Sequence, residues 1–162
     1  MSSSERAGFE LPLLLVGAFR SLIDELHRAL AASGHDEARP LHGFALQVIG
    51  PHGSTISELG RQLGVSKQAA AKTVTTLERA GYVRREPDPS DGRAVRLLWT
   101  ARGEEMLTLS AAFFHTYRTR LSDALGARRL AELEIDLERM AAPVGDNWRG
   151  FPGWLTSSGT TS

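Results

Sequence analysis

Cysteine is absent from the 162-residue chain. Its absence excludes disulfide frameworks, thiolate zinc sites, cysteine nucleophiles and thiol-based redox sensing, and it suits a reducing compartment. Long apolar runs are missing as well, because the most apolar stretch, Leu11 to Phe19, is far shorter than the roughly 20 residues that span a bilayer. We therefore expect a soluble, cytoplasmic protein that forms one compact domain or two small fused ones and does not enter a membrane.

Motifs for metal or phosphate chemistry are missing too. The histidines are scattered among carboxylates, and the sequence has neither a His-Glu-x-x-His motif nor a glycine-rich phosphate loop. Histidines spread in this way are most often surface residues. We predict no metal site, no cofactor and no enzymatic activity, with a small enzyme as the weakest alternative. The histidines are His27, His35, His42, His52 and His115.

Charge is unevenly distributed along the chain, although the formal net charge is zero. The segment from Arg61 to Arg102 holds nine basic and four acidic residues, whereas the rest of the chain holds ten basic and fifteen acidic ones. A basic segment creates a local field that attracts a polyanion such as DNA. A charged, solvated surface without a ligand is the alternative interpretation.

Apolar residues at helical spacing mark both ends of the chain. One stripe predicts a helix that ends near Gly34, and another predicts a helix from Ala101 that extends for about 36 Å, with a further stripe from Leu130 to Met140. Such wide stripes find too little partner surface within one small domain, which predicts a homodimer. The first stripe comprises Leu11, Leu14, Leu15, Ala18, Leu22, Leu26 and Leu30, and the second comprises Met106, Leu109, Phe113, Tyr117, Leu121 and Leu125.

Helix start and stop signals punctuate the centre of the chain, where a short apolar helix is predicted from Leu41 to Ile49. The stretch Thr55-Ile56-Ser57-Glu58 fits a capping box, and Gly64 permits a tight turn. Ser66 can cap a second helix that ends at Ala80-Gly81. Two short helices joined at a glycine form a helix-turn-helix, whose second helix enters the major groove in DNA-binding proteins. The face of this helix that is predicted to be buried consists of Ala70, Val74 and Leu77.

Two β-prone runs follow directly. Tyr82 to Arg85 and Val95 to Trp99 flank the stretch from Glu86 to Arg93, which contains two prolines and an Asp-Gly pair. This pattern predicts a hairpin with a long tip. A hairpin placed directly after a recognition helix is a wing.

These motifs resemble those of MarR-type regulators. Thr55 to Leu59 and Leu63 to Ser66 are similar to the helix-turn-helix of that family. Asp91 to Thr100 is similar to the family's Asp-x-Arg wing signature running into Leu-x-Leu-Thr, with Trp99 in place of the usual leucine. The resemblance implies a mainly α fold with a small β-hairpin wing. Its expected parts are an N-terminal dimerisation helix (1–40), a winged helix-turn-helix region (41–100), C-terminal dimerisation helices (101–143) and a loosely ordered tail (144–162).

The resemblance also implies a homodimeric repressor that binds a pseudo-palindromic operator in double-stranded DNA. Arg93 at the wing tip would enter the minor groove, Asp91 would orient it, and Arg84 would contact phosphate. The helix positions left to meet DNA are Ser66, Lys67, Gln68, Lys72, Thr73 and Thr76.

A small, often aromatic or anionic, effector that changes the spacing of the two reading heads is a further implication of the resemblance. The pocket is expected where the dimer helices meet the winged region, near Leu14, Ala18, Phe44 and Phe113, although core packing explains these four residues equally well. A winged helix that binds only protein is the alternative function. It would keep the fold but would show no salt-sensitive affinity for DNA.

Overall fold

A computed structural model of the protein describes residues 8–92 and 94–141. Its described part is mainly helical with one antiparallel hairpin, as predicted. No helix in this part is long and apolar enough to cross a membrane. The elements in chain order are α1 (Glu10–Ala32), α2 (Pro40–Ile49), α3 (Ile56–Leu63), α4 (Lys67–Arg79), β1 (Val83–Pro87), β2 (Val95–Trp99), α5 (Ala101–Leu125) and α6 (Ala127–Ala141).

The predicted helix-turn-helix is formed by α3 and α4. At the start of α3 the side chain of Thr55 accepts a hydrogen bond from the Glu58 amide (3.2 Å), and the Glu58 carboxylate accepts one from the Thr55 amide (2.8 Å). The hydrogen bonds that the Glu58 carboxylate accepts from the Thr55 amide and hydroxyl lower the pKa of Glu58. Gly64 turns the chain with a φ of +67°, and the Ser66 hydroxyl oxygen accepts from the Ala69 amide (3.1 Å). The capping box, the glycine turn and the second cap are confirmed.

The hairpin pairs Val83 with Trp99 at its base and Pro87 with Val95 at its far end. β1 is therefore longer than predicted, because Glu86 and Pro87 belong to the strand and not to the tip. Proline has no backbone N–H, but it is tolerated here because the hairpin has two strands and, within the described part of the chain, no further strand pairs with the outer side of β1. Ser54 exchanges two backbone hydrogen bonds with Leu97, which anchors the base of the wing to the segment before α3.

The hydrophobic core lies among the second half of α1, helices α2 to α4, the base of the wing and the start of α5. From α1 it takes Ile23, Leu26 and Leu30. The sequence pattern placed Leu22 in this stripe, but Leu22 is only half-buried. One position along a helix turns a side chain by about 100°, so a single shift decides which residue reaches the core.

The first half of α1 is apolar on all sides and remains uncovered in the single chain. Leu14 keeps 50% of its surface exposed and Val16 keeps 65%. The outer face of α6 is also apolar and exposed. Isolated helices of this character need a partner surface. The exposed apolar residues are Phe9, Leu11, Leu13, Leu14, Leu15, Val16 and Phe19 in and just before α1, and Leu133, Ile135, Leu137 and Met140 in α6.

Two of the five histidines are buried, which corrects the expectation that they lie on the surface. His35 is 1% exposed and His42 is 4% exposed. Gly34, with a φ of +87°, turns the chain at the end of α1 so that the His35 ring stacks on Tyr82. The His42 ring also lies beside Tyr82, so Tyr82 packs against two rings that a linear pattern treats as polar.

Candidate nucleic-acid interface

Helix α4 presents one side to the core and the other to solvent. Ala70, Val74 and Leu77 are fully buried, as the sequence predicts. They lie about one turn apart on one face, and Lys72 and Thr75, which lie between them in the sequence, are exposed. The solvent side of α4 is therefore available for a ligand as large as duplex DNA.

The residues predicted to read DNA fall into two groups on α4. Lys67, Gln68 and Lys72 are exposed, and Ser66 uses its hydroxyl oxygen to cap the helix. Thr73 and Thr76 are half-buried, and their hydroxyls donate to backbone carbonyls one turn earlier (3.2 and 3.1 Å). The first group forms an open polar surface, whereas the two threonines line a cleft beside the helix.

The wing lies next to α4 and is tied to it by an ion pair. Arg85 on β1 donates two hydrogen bonds to the Glu78 carboxylate on α4 (2.8 and 2.9 Å). Arg84 donates to the Glu86 carboxylate (2.7 Å) and to the Trp99 carbonyl (2.6 Å), so its guanidinium lies along the hairpin. Asp91 is exposed near the tip. Arg93 lies outside the described residues.

Trp99 connects the base of the wing to α2. Its indole N–H donates to the Leu46 carbonyl (2.8 Å), which also accepts from the Gly50 amide at the end of α2. A leucine side chain at this position could not donate a hydrogen bond to that carbonyl. The tryptophan therefore adds a directional contact between wing and core.

A cleft of about 570 Å³ lies between α1, the start of α2 and α4. Sequence reasoning missed it, because its walls come from segments far apart in the chain. Of the four residues predicted for a pocket, Leu14 and Ala18 are exposed on α1, while Phe44 and Phe113 pack against the core. None of the four lines this cleft, and their role stays a prediction. The lining residues are Phe19, Arg39, Pro40, Leu41, His42, Leu63, Val65, Ala69, Lys72, Thr73 and Thr76.

The cleft is apolar on its walls and positive at its rim. Arg39 and Lys72 are its charged lining residues. Burial, together with the nearby Arg39 and His27, lowers the pKa of His42, so that its ring is neutral at neutral pH. Its buried Nδ1 has no hydrogen-bond partner among the described residues. This combination favours an anion that carries an apolar body.

A model of the MarR family matches residues 40–94, which contain α2, α3, α4 and most of the wing. The chain carries a MarR-family winged helix-turn-helix region. The resemblance inferred from the motifs is thereby confirmed, and so is the winged helix fold. A curated relative, the uncharacterized HTH-type transcriptional regulator YcgE of Bacillus subtilis strain 168, is 49% identical over 41 residues. That match covers 25% of this chain and 27% of YcgE, about a quarter of each.

Solved structures resemble the chain beyond the MarR-family region. The transcriptional regulator Tm0710 from Thermotoga maritima is 25% identical, with a TM-score of 0.56 over 86% of this chain and 97% of Tm0710. FabT of Streptococcus pneumoniae, whose crystal structure is a complex with DNA, is 21% identical, with a TM-score of 0.74 over 86% of this chain and 99% of FabT. The flanking helices of this chain thus share the fold of these proteins. Tm0710 and YcgE are named as transcriptional regulators, not as enzymes.

Proposed function

We propose that the protein is a cytoplasmic, sequence-specific transcription regulator that binds a pseudo-palindromic operator as a homodimer. The observation that carries the proposal is an exposed polar face on α4 beside a wing, within a MarR-family region. FabT, a neighbour in fold, was crystallised with DNA, and we extend that activity to this chain. The division into a reading region (41–100), flanking dimer helices (1–40 and 101–143) and a tail (144–162) is part of the proposal. The tail lies outside the described residues.

The polar face of α4 suits major-groove recognition. Gln68 can pair with adenine through two hydrogen bonds, and Lys67 or Lys72 can meet guanine or a phosphate. Ser66 lies at the N-terminal end of the helix, where backbone amides favour a phosphate. Arg84 supplies a further phosphate contact in the proposal. Thr73 and Thr76, which also line the cleft, complete the proposed DNA-binding positions of α4.

The wing arginine is the second reading element in the proposal. Arg93 follows Asp91 in the Asp-x-Arg signature, and a cation at a wing tip is attracted by the negative potential of a narrow minor groove. Repression, as opposed to activation, also belongs to the proposal and rests on the family resemblance.

Selection of bound duplexes from a random pool at physiological salt tests this function. We expect a two-fold symmetric motif with half-sites about 10 base pairs apart. Arg93→Ala should weaken binding roughly tenfold, whereas Arg28→Ala, which removes an exposed charge in the second half of α1, should leave binding unchanged. Affinity should fall steeply as salt rises, since several phosphates are neutralised.

The outcomes separate the alternatives. A folded dimer that enriches no duplex contradicts DNA reading and leaves a winged helix that binds protein. If Arg93→Ala does not change the enrichment, the proposed DNA reading by α4 stands and the proposed role of the wing arginine is refuted.

We further propose that an anionic, apolar effector binds the cleft between α2 and α4 and opposes DNA binding. Lys72 belongs both to the cleft and to the proposed reading face. An anion bound in the cleft would therefore pair with the Lys72 ammonium group and make it unavailable to DNA. Arg39, at the start of α2, would bind the same anion without contacting DNA.

Competition with a small aromatic acid tests the effector site. We expect 2-naphthoate to displace the selected operator and its neutral amide to be much weaker. Arg39→Ala should raise the naphthoate concentration needed by roughly tenfold, the value of one hydrogen bond to a charged group, with operator affinity retained. Arg28→Ala, an exposed position on α1, is the matched control. Equal potency of acid and amide would refute the anion preference.

A further inference from the structure

Three helix ends meet at one cluster of residues around the buried side chains of His35 and Tyr82. Tyr82, which follows α4, is fully buried, and its carbonyl accepts from the Thr100 amide at the start of α5 (3.1 Å). Gly34 lies just past α1, and Ala80 lies at the end of α4. Both contact Arg102, which also lies beside the Tyr82 ring. We call Gly34, His35, Ala80, Tyr82 and Arg102 the junction cluster.

Arg102, in the first turn of α5, contacts both helix ends at once. Its Nε donates to the Ala80 carbonyl (3.1 Å) and its Nη2 donates to the Gly34 carbonyl (2.7 Å). Carbonyls at the ends of helices have no partner within the helix, and a cation there also interacts favourably with the helix dipole. The Arg102 guanidinium lies 5.4 Å from the centre of the Tyr82 ring. One side chain therefore fastens α1 and α4 to α5.

His35 strengthens the same connection from the side of α1. Its Nδ1 lies 3.3 Å from the Tyr82 hydroxyl, whereas its Nε2 lies 3.4 Å from the Glu105 carboxylate on α5 without a hydrogen bond to it. The α4 to α5 link is also tight at the backbone, since a side chain on Gly103 would meet the Tyr82 carbonyl oxygen. Movement of α5 relative to α1 therefore has to move the C-terminal end of α4.

We infer that Arg102 is a positioning residue that fixes the orientation of α4 relative to α1 and α5, and hence the spacing of the two reading heads. This inference rests on the proposed function. Arg102 contacts the C-terminal end of α4, whereas Lys67 and Gln68 lie at the opposite end, about 18 Å away along a 13-residue helix. Arg102 thus affects DNA binding indirectly, because it sets the angle of α4 relative to α1 and α5.

The absence of cysteine allows a test without DNA. Gln68→Cys creates a unique labelling site on α4, and a spin label there reports the distance between the two reading heads of a dimer. We expect a narrow distribution in the otherwise unmodified protein and one that is on the order of twofold broader with Arg102→Met. Arg28→Met, at an exposed position in the second half of α1, is the control and should leave the distribution narrow.

Operators of altered spacing give the functional measurement. The unmodified protein should prefer the selected half-site spacing over one lengthened by two base pairs by about tenfold or more, and Arg102→Met should lose most of that preference. Binding to a single half-site should change far less, because one α4 reads it without a partner. A phosphate-contacting residue would instead weaken every duplex and reduce the salt slope by about one.

A folded Arg102→Met dimer with an unchanged distance distribution overturns the inference, whatever the DNA result. A broad distribution in the unmodified protein also overturns it. If Arg102→Met does not fold, Arg102→Lys, which keeps the charge but lacks the planar group that reaches two carbonyls, is judged by the same outcomes. A narrow distribution that broadens in a protein that selects no duplex supports the inference and refutes the proposed function alone.

Discussion

Replacing Gly103 with alanine is expected to destabilise the protein by about 3 kcal/mol. A Cβ at this position would lie 2.2 Å from the Tyr82 carbonyl oxygen and 3.1 Å from its carbonyl carbon. Both are backbone atoms of a fully buried residue, so neither can move without shifting the end of α4. The free energy of unfolding, measured by urea denaturation, checks this result.

Gly43→Ala on α2 is the matched control. Gly43 is also helical, but a Cβ there meets nothing within 4 Å, so the variant should be stabilised by up to about 1 kcal/mol through helix propensity. A Gly103→Ala protein as stable as the Gly43→Ala protein would show that α4 and α5 are not packed backbone to backbone.

Leu14→Asp is expected to convert the proposed homodimer into a monomer. Leu14 lies in the all-apolar first half of α1 and is 50% exposed in the single chain, so a charge there leaves the fold of one chain intact and opposes burial against a second chain. Operator affinity should fall by roughly a hundredfold or more, because a monomer engages half-sites without avidity. Light scattering and operator titration measure the two effects.

Ala29→Asp adds the same charge at an exposed position in the second half of α1, and it should leave both assembly and binding unchanged. A Leu14→Asp protein that stays dimeric would place the dimer contact elsewhere. A monomer with full operator affinity would refute the need for two reading heads.

Local signals were sufficient to predict the helix-turn-helix. The capping box of Thr55 and Glu58 and the cap at Ser66 are hydrogen bonds between residues three apart, and the turn at Gly64 depends on one backbone angle. Interactions of this range are encoded in short stretches of sequence. The buried face of α4 follows from helical periodicity for the same reason.

The end of β1, the burial of His35 and His42 and the cleft beside α4 escaped prediction. Pro87 reads as a turn residue, yet it pairs with Val95 because the outer side of β1 is open. The two histidines are polar in sequence but are buried, with their rings beside Tyr82. Each outcome depends on which distant segments meet, and no local pattern contains that information.

Near neighbours and periodicity were enough to predict the order of the elements, the caps and turns of the helix-turn-helix, the apolar face of α4 and the family of the central region. The folded chain was needed to show that Ile23 takes the place of Leu22 in the core, that Trp99 donates to α2 and that Arg102 joins three helix ends. Such contacts join residues up to 68 positions apart. They form because the packed helices and strands bring backbone carbonyls within reach of side-chain donors from distant segments, and each such hydrogen bond replaces one to water.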